Sequence, residues 1–134
     1  MSGRFYSEIG SRPRLLLAYA DPAYASECGR YFRRLGWEVQ MVASGREARL
    51  LAGDYRPNVV VLDAELADES GWLTSAKISD ENPGLRIVLV ADEWNEHTQD
   101  RLRMVGAEHS VCRRDGAEAL AMIILGQTSL SEAV

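Results

Sequence analysis

The run Val59-Val60-Val61-Leu62-Asp63 constrains the fold of this chain more than any other stretch. It is too short for a buried helix. It is apolar at successive positions where a half-exposed strand would alternate, and it closes on a carboxylate. A strand of that kind is covered on both faces, which is the condition of a parallel sheet between two helical layers. Two more runs share the character: Arg14-Leu15-Leu16-Leu17-Ala18-Tyr19-Ala20, closed by Asp21-Pro22, and Arg86-Ile87-Val88-Leu89-Val90.

Between the runs the period changes from 2 to 3.6. Ala25, Cys28, Phe32 and Leu35 recur at helical spacing before Gly36, a helix stop. Trp37 to Val42 alternates as a strand. Ser44 with Glu47 predicts a capping box opening a helix to about Ala52. After Asp63 a polar loop, Ala64 to Gly71, leads to a helix from Trp72 to Ile78, broken by Asn82-Pro83-Gly84. Residues 95 to 105 form a helix with few apolar positions, stopped by Gly106-Ala107. Ser110-Val111-Cys112 is a weak last strand, followed by a helix from Ala117 to Leu125. Strands alternating with helices, joined by right-handed crossovers, predict an α/β flavodoxin-like sandwich of five βα units with parallel order 2-1-3-4-5. Residues 1–13 read as an N-terminal extension, 14–126 as the domain and 127–134 as a tail.

Composition narrows the function classes. The 134 residues are one domain's worth, with 46% hydrophobic and 26% charged residues. A net charge of −5 argues against nucleic acid as this domain's main partner. No window is apolar for the length of a membrane span, and the first residues hold no apolar signal core, so the chain reads as cytoplasmic. Cys28 and Cys112 match no zinc spacing and read as two buried thiols, with a redox pair as the other possibility.

In such a sheet ligands bind beyond the carboxyl ends of the strands, where strands 1 and 3 meet. Asp21 and Asp63 stand at those two ends. Two carboxylates brought together repel unless a cation lies between them, and oxygen ligands with one open side suit Mg²⁺. A carboxylate beside such a metal can attack a phosphoryl group. Taken singly, each Asp reads equally well as a solvated loop residue or a helix cap.

The stretches Gly36-Trp37-Glu38-Val39, Ala43-Ser44-Gly45-Arg46-Glu47-Ala48 and Arg56-Pro57-Asn58-Val59-Val60-Val61-Leu62-Asp63 resemble the second strand, second helix and third strand of bacterial two-component receiver domains. Leu66, Ser70-Gly71 and Gly106-Ala107-Glu108 continue that resemblance, which covers residues 14 to 125. It implies a CheY-like signalling module in a phosphorelay, not an enzyme. Asp63 takes the phospho-acceptor position. Asp21, Asp63 and the backbone carbonyl of Glu65 become the Mg²⁺ ligands. Ala91 and Arg113 take the switch positions after strands 4 and 5. A sensor histidine kinase or another signalling protein becomes the partner, with a homodimer through the face of helix 4, strand 5 and helix 5.

The sequence also departs from that family. An acidic pair normally ends the first strand, where this chain has Tyr19-Ala20-Asp21. Asp21 is either the second acid or the residue after the pair. The hydroxyl residue after strand 4 is Ala91, the Lys-Pro after strand 5 is Arg113-Arg114, and the Pro after Leu66 is Ala67. Each lost group removes on the order of 1–3 kcal/mol of stabilisation of the transferred phosphoryl group. Two functions therefore compete. One is a pseudo-receiver acting as an interaction module with impaired Mg²⁺-dependent phosphorylation. The other is a conventional receiver phosphorylated on Asp63. A flavodoxin-like small-ligand binder is a third, which Asp21-Pro22-Ala23 does not favour, having no phosphate-cradling glycines.

Other residues carry two readings each. Tyr19 or Arg113 could fill the cation's place. Asp92 is an extra site acid or a solvated loop residue. Trp72 and Trp94 are helix-start packing residues, or gate the site or meet a partner. Arg101, Arg103, Arg113 and Arg114 are a docking surface or a solvated face. His97 and His109 read as solvent-facing. The tail is too short for an output domain, which leaves a stand-alone receiver or part of a longer protein.

Overall fold

The computed structural model describes residues 11–126. Most of the expected extension and the whole expected tail lie outside the described residues. The strands are β1 (Arg14–Ala18), β2 (Glu38–Val42), β3 (Val59–Asp63), β4 (Arg86–Val90) and β5 (His109–Val111). The helices are α1 (Pro22–Arg34), α2 (Gly45–Asp54), α3 (Gly71–Glu81), α4 (Thr98–Met104) and α5 (Gly116–Leu125), with a 3₁₀ turn at Arg113–Asp115 before α5. All pairings are parallel and the order is β2-β1-β3-β4-β5, as the apolar runs predict.

The sheet sorts its side chains by parity. Leu15, Leu17, Val59, Val61, Val88 and Val90 face α1 and α5, where they meet Cys28, Phe32, Leu120 and Ile124. Leu16, Ala18, Val60, Leu62, Ile87 and Leu89 face the other layer and meet Ala48, Ile78 and Leu102. The central residues of β1, β3 and β4 are fully buried, which accounts for runs without alternation.

Capping fixes where the helices begin. The Ser44 hydroxyl accepts from the Glu47 amide at 3.1 Å, as the capping signature predicts. The Glu47 carboxylate accepts from the Ser44 hydroxyl, not from its amide. α4 begins later than the sequence suggests. The Asn95 amide donates to the Thr98 hydroxyl and the His97 amide to the Asn95 side chain, so residues 95–97 form a turn that delays the helix. At its end Gly106 adopts φ +75°, and the Ser79 side chain occupies the space where a Cβ would stand. Among the described residues no helix is long and apolar enough to cross a membrane.

Candidate functional site

The register sets the rim of the sheet. Ala18 pairs with Leu62, and Asp63 pairs with Val90. The Tyr19 amide donates to Val42, the Ala64 amide to Val90 and the Ala91 amide to Val111, each at 2.9 Å. Tyr19-Ala20, Asp63-Ala64, Ala91-Asp92 and Cys112-Arg113 therefore follow their strands side by side, at the carboxyl ends where such sheets bind ligands.

Asp63 is 2% exposed. Its Oδ1 accepts from the Glu65 amide at 2.9 Å, which folds the following loop back over it. Its second partner is Arg113. One terminal nitrogen of that guanidinium lies 3.1 Å from Asp63 Oδ2 and 3.4 Å from Oδ1. The same nitrogen is 3.9 Å from the Asp92 carboxylate. The Arg113 Nε is buried and has no hydrogen-bond partner. A buried carboxylate needs a compensating charge, and here the chain itself supplies it.

The remaining expected ligands are arranged differently. β1 stops at Ala18, two residues short of the apolar run. Tyr19 and Ala20 hold the two positions after it, and the partly buried Tyr19 packs into the core beneath α1 and α5. Of the two side chains that the sequence singles out, Arg113 contacts Asp63 and Tyr19 packs on the core. Asp21 is the N-cap of α1, its carboxylate accepting from the Ala23 amide at 3.0 Å, so the cap reading describes its contact. Glu65 lines a cleft of about 380 Å³ beside Asp63, together with Trp72, Ala91, Asp92, Arg101 and Arg113. Ala91 brings no hydroxyl to it. Among the described residues, no three His, Cys, Asp or Glu side chains converge as a metal site. The guanidinium already answers the Asp63 charge that a divalent cation would otherwise balance, and the positions after β1 add no carboxylate, so the residues present fit such a cation poorly.

The loop carrying Glu65 is anchored away from Asp63. Asp68 accepts from the Gly45 and Arg46 amides, at 2.8 and 3.0 Å, across the open N-terminus of α2. Glu69 accepts from the Thr74 hydroxyl and pairs with Lys77 at 2.9 Å. Neither anchor is foreseen by the sequence reading, because the Asp68 contacts join segments far apart in the chain and no local signal marks them. The Gly45 amide, followed by the Arg46 amide, holds the Asp68 carboxyl below its ordinary 3.8, and Thr74 and Lys77 lower Glu69. A lowered carboxyl contributes stability that is complete above the ordinary value and is lost as acid carries the pH down through the lowered one. Asp68 is exposed, so water tempers the loss, and Asp68→Ala should cost about 1 kcal/mol or less at neutral pH. The gap in thermal midpoint between wild type and variant should close below pH 3.8.

The aromatic residues divide. Trp72 packs on the core beneath α2 and α3, and the Arg101 guanidinium stacks on its ring at 4.1 Å. Trp94 is 64% exposed, so packing does not explain it. Cys28 is buried and Cys112 only partly so, and burial pushes the Cys28 thiol up to about 11.

Known proteins share this family and fold. The model of the response regulator receiver domain matches residues 15–124. The chain is 32% identical over 93 residues to the "Probable transcriptional regulatory protein TcrX" of Mycobacterium tuberculosis, a match covering 69% of this chain and 39% of that protein. The chain thus spans about two-fifths of that relative's length. Its fold is similar to chemotaxis protein CheY4 of Vibrio cholerae, with TM-score 0.80 and 18% identity over 86% of this chain and 98% of that one. It is also similar to a response regulator of Burkholderia pseudomallei, solved with a phosphorylated aspartic acid and a calcium ion, with TM-score 0.76 and 21% identity over 90% and 71% of the two chains. From its sheet order, the buried aspartate that ends β3 and the match along most of its length, this chain belongs to the receiver domains of two-component response regulators.

Proposed function

We propose that this receiver domain works as a protein-interaction module in phosphorelay signalling without Mg²⁺-dependent phosphorylation of Asp63. The observation that carries the reading is the Arg113 guanidinium on the buried Asp63 carboxylate, at 3.1 Å. Tyr19 and Ala20 in place of an acidic pair, Asp21 engaged as a helix cap and Ala91 in place of a hydroxyl all support it. Asp21 and the Glu65 carbonyl would then have no metal to bind. Phosphoryl transfer depends on a bound cation and on donors aimed at the transferred oxygens, and here Tyr19-Ala20 stand for the metal-holding acids, Ala91 for the hydroxyl and Arg113 for the lysine.

The test is incubation with Mg²⁺ and acetyl phosphate, followed by intact mass. The expected outcome is no phosphoryl adduct over times that label an ordinary receiver. An adduct abolished by Asp63→Ala would favour the conventional switch, phosphorylated by a sensor histidine kinase.

The partner surface we assign is the α4–β5–α5 face, and the occupant is a second copy of this chain. Trp94 and Met104 are 64% and 82% exposed there. Asp92, Glu93 and Asp115, with Arg114, rim a groove between β5 and α5, and on α4 Arg101 stacks on Trp72 and Arg103 pairs with Asp100. One copy's basic helix can therefore meet the other's acidic groove. Met104→Glu should shift the sedimenting species from dimer to monomer; a wild type that sediments as a monomer at high concentration would refute the dimer.

A further inference from the structure

We propose that the Arg113 guanidinium is a tethered replacement for the divalent cation of the receiver site, the permanent counter-ion of Asp63 and the tie between the ends of β3, β4 and β5. The inference deepens the reading above and rests on it.

Three observations carry it. The first is position: a single guanidinium nitrogen contacts both Asp63 oxygens, at 3.1 and 3.4 Å, and approaches Asp92 after β4 at 3.9 Å. A divalent ion beside Asp63 would have to compete with it for those two oxygens. The second is burial. The Asp63 side chain is 3% exposed, so an uncompensated negative charge there would be costly, and the other polar contact it makes is the neutral Glu65 amide. The third is the surrounding donor set. Tyr19 and Ala20 carry no carboxylate and Asp21 caps α1 through Ala23, so the acids left beside the guanidinium are the buried Asp63 and the exposed Asp92. Arg113 answers the buried charge of Asp63, with the exposed Asp92 farther off in solvent. Arginine suits the role because it stays charged at any physiological pH and spreads its donors over a planar fork. Because Arg113 stands in the turn that opens into α5, the pair joins the acceptor strand to the output helix without a ligand.

The inference implies that removing Arg113 creates a demand for an outside cation. The experiment is thermal unfolding of the full chain with MgCl₂, or with low concentrations of methylguanidinium chloride, against KCl of matched ionic strength. Wild type should show no midpoint change specific to either probe. Arg113→Ala should unfold at a lower temperature and regain several degrees with one of the probes. The gain should vanish in Arg113→Ala combined with Asp63→Asn, whose neutral amide needs no cation. If Arg113→Ala does not fold, Arg113→Gln, which keeps length and loses charge, is titrated in the same way. A saturable Mg²⁺ stabilisation of wild type, or an uncharged variant as stable as wild type and indifferent to both probes, would overturn the inference. Labelling of wild-type Asp63 by acetyl phosphate would instead overturn the functional reading beneath it, so the two failures are distinguishable.

Discussion

Gly71→Ala should lower stability by about 3 kcal/mol or more, a fall of roughly 10 °C in thermal midpoint for a domain of this size. Gly71 opens α3 against the backbone of Asp63. A Cβ built there would lie 2.1 Å from the Asp63 carbonyl oxygen, 2.8 Å from its carbonyl carbon and 2.9 Å from the Ala64 Cα. All three are backbone atoms, so no rotamer change relieves the overlap. The Gly71 amide donates to the Ala64 carbonyl at 2.9 Å, and Glu65 bridges to Ser70, which closes the loop into a tight ring. Any relief must move either the end of β3 or the start of α3, and the first displaces Asp63 from Arg113. Gly53→Ala is the control. A Cβ there meets nothing within 4 Å, and Gly53 lies inside α2. That change should be neutral or stabilising by about 0.5–1 kcal/mol. Equal midpoints for the two alanine variants would mean that the β3–α3 junction is looser than described.

The second large effect is an asymmetry within the Asp63–Arg113 pair. Arg113→Leu leaves a buried carboxylate facing an apolar side chain. Breaking a buried ion pair from one side costs about 3–5 kcal/mol when both partners are enclosed. Arg113 is 26% exposed, so water tempers the loss, and about 2–3 kcal/mol is expected. Asp63→Asn leaves a guanidinium that is partly in solvent and has Asp92 3.9 Å away, so about 1 kcal/mol or less is expected. Asp63→Asn combined with Arg113→Leu should cost less than the sum of the two single changes, because neither charge is then stranded. Chemical denaturation of the four proteins measures the coupling. A coupling near zero would reduce the contact to an incidental surface pair.

The sheet was legible because its evidence is local. Val59–Asp63 and Arg86–Val90 are apolar throughout in sequence and appear as strands with the predicted bounds. β1 was read two residues too long. Tyr19 and Ala20 continue the apolar composition, but the Ala18–Leu62 pairing is the last of that ladder. The start of α4 was read early because residues 95–97 look helical in composition, and only the Thr98 and Asn95 side-chain bonds show that they form a turn. The site was legible in its residue types and much less in its contacts. That Asp63 ends a central strand follows from pattern alone. That Arg113 reaches it depends on two loops fifty residues apart meeting at one rim. Sequence left Asp21 open between two registers, and its bond to the Ala23 amide identifies it as the cap of α1.

The most direct test of a site filled by its own side chain is a titration with Mg²⁺ and beryllofluoride, followed through backbone amide shifts. A site closed by Arg113 should leave the amides of Glu65, Ala91 and Arg113 where they are in the unliganded protein. Saturable shifts at those amides, absent in Asp63→Ala, would show that metal and phosphoryl mimic enter beside Asp63 and that the guanidinium yields to them.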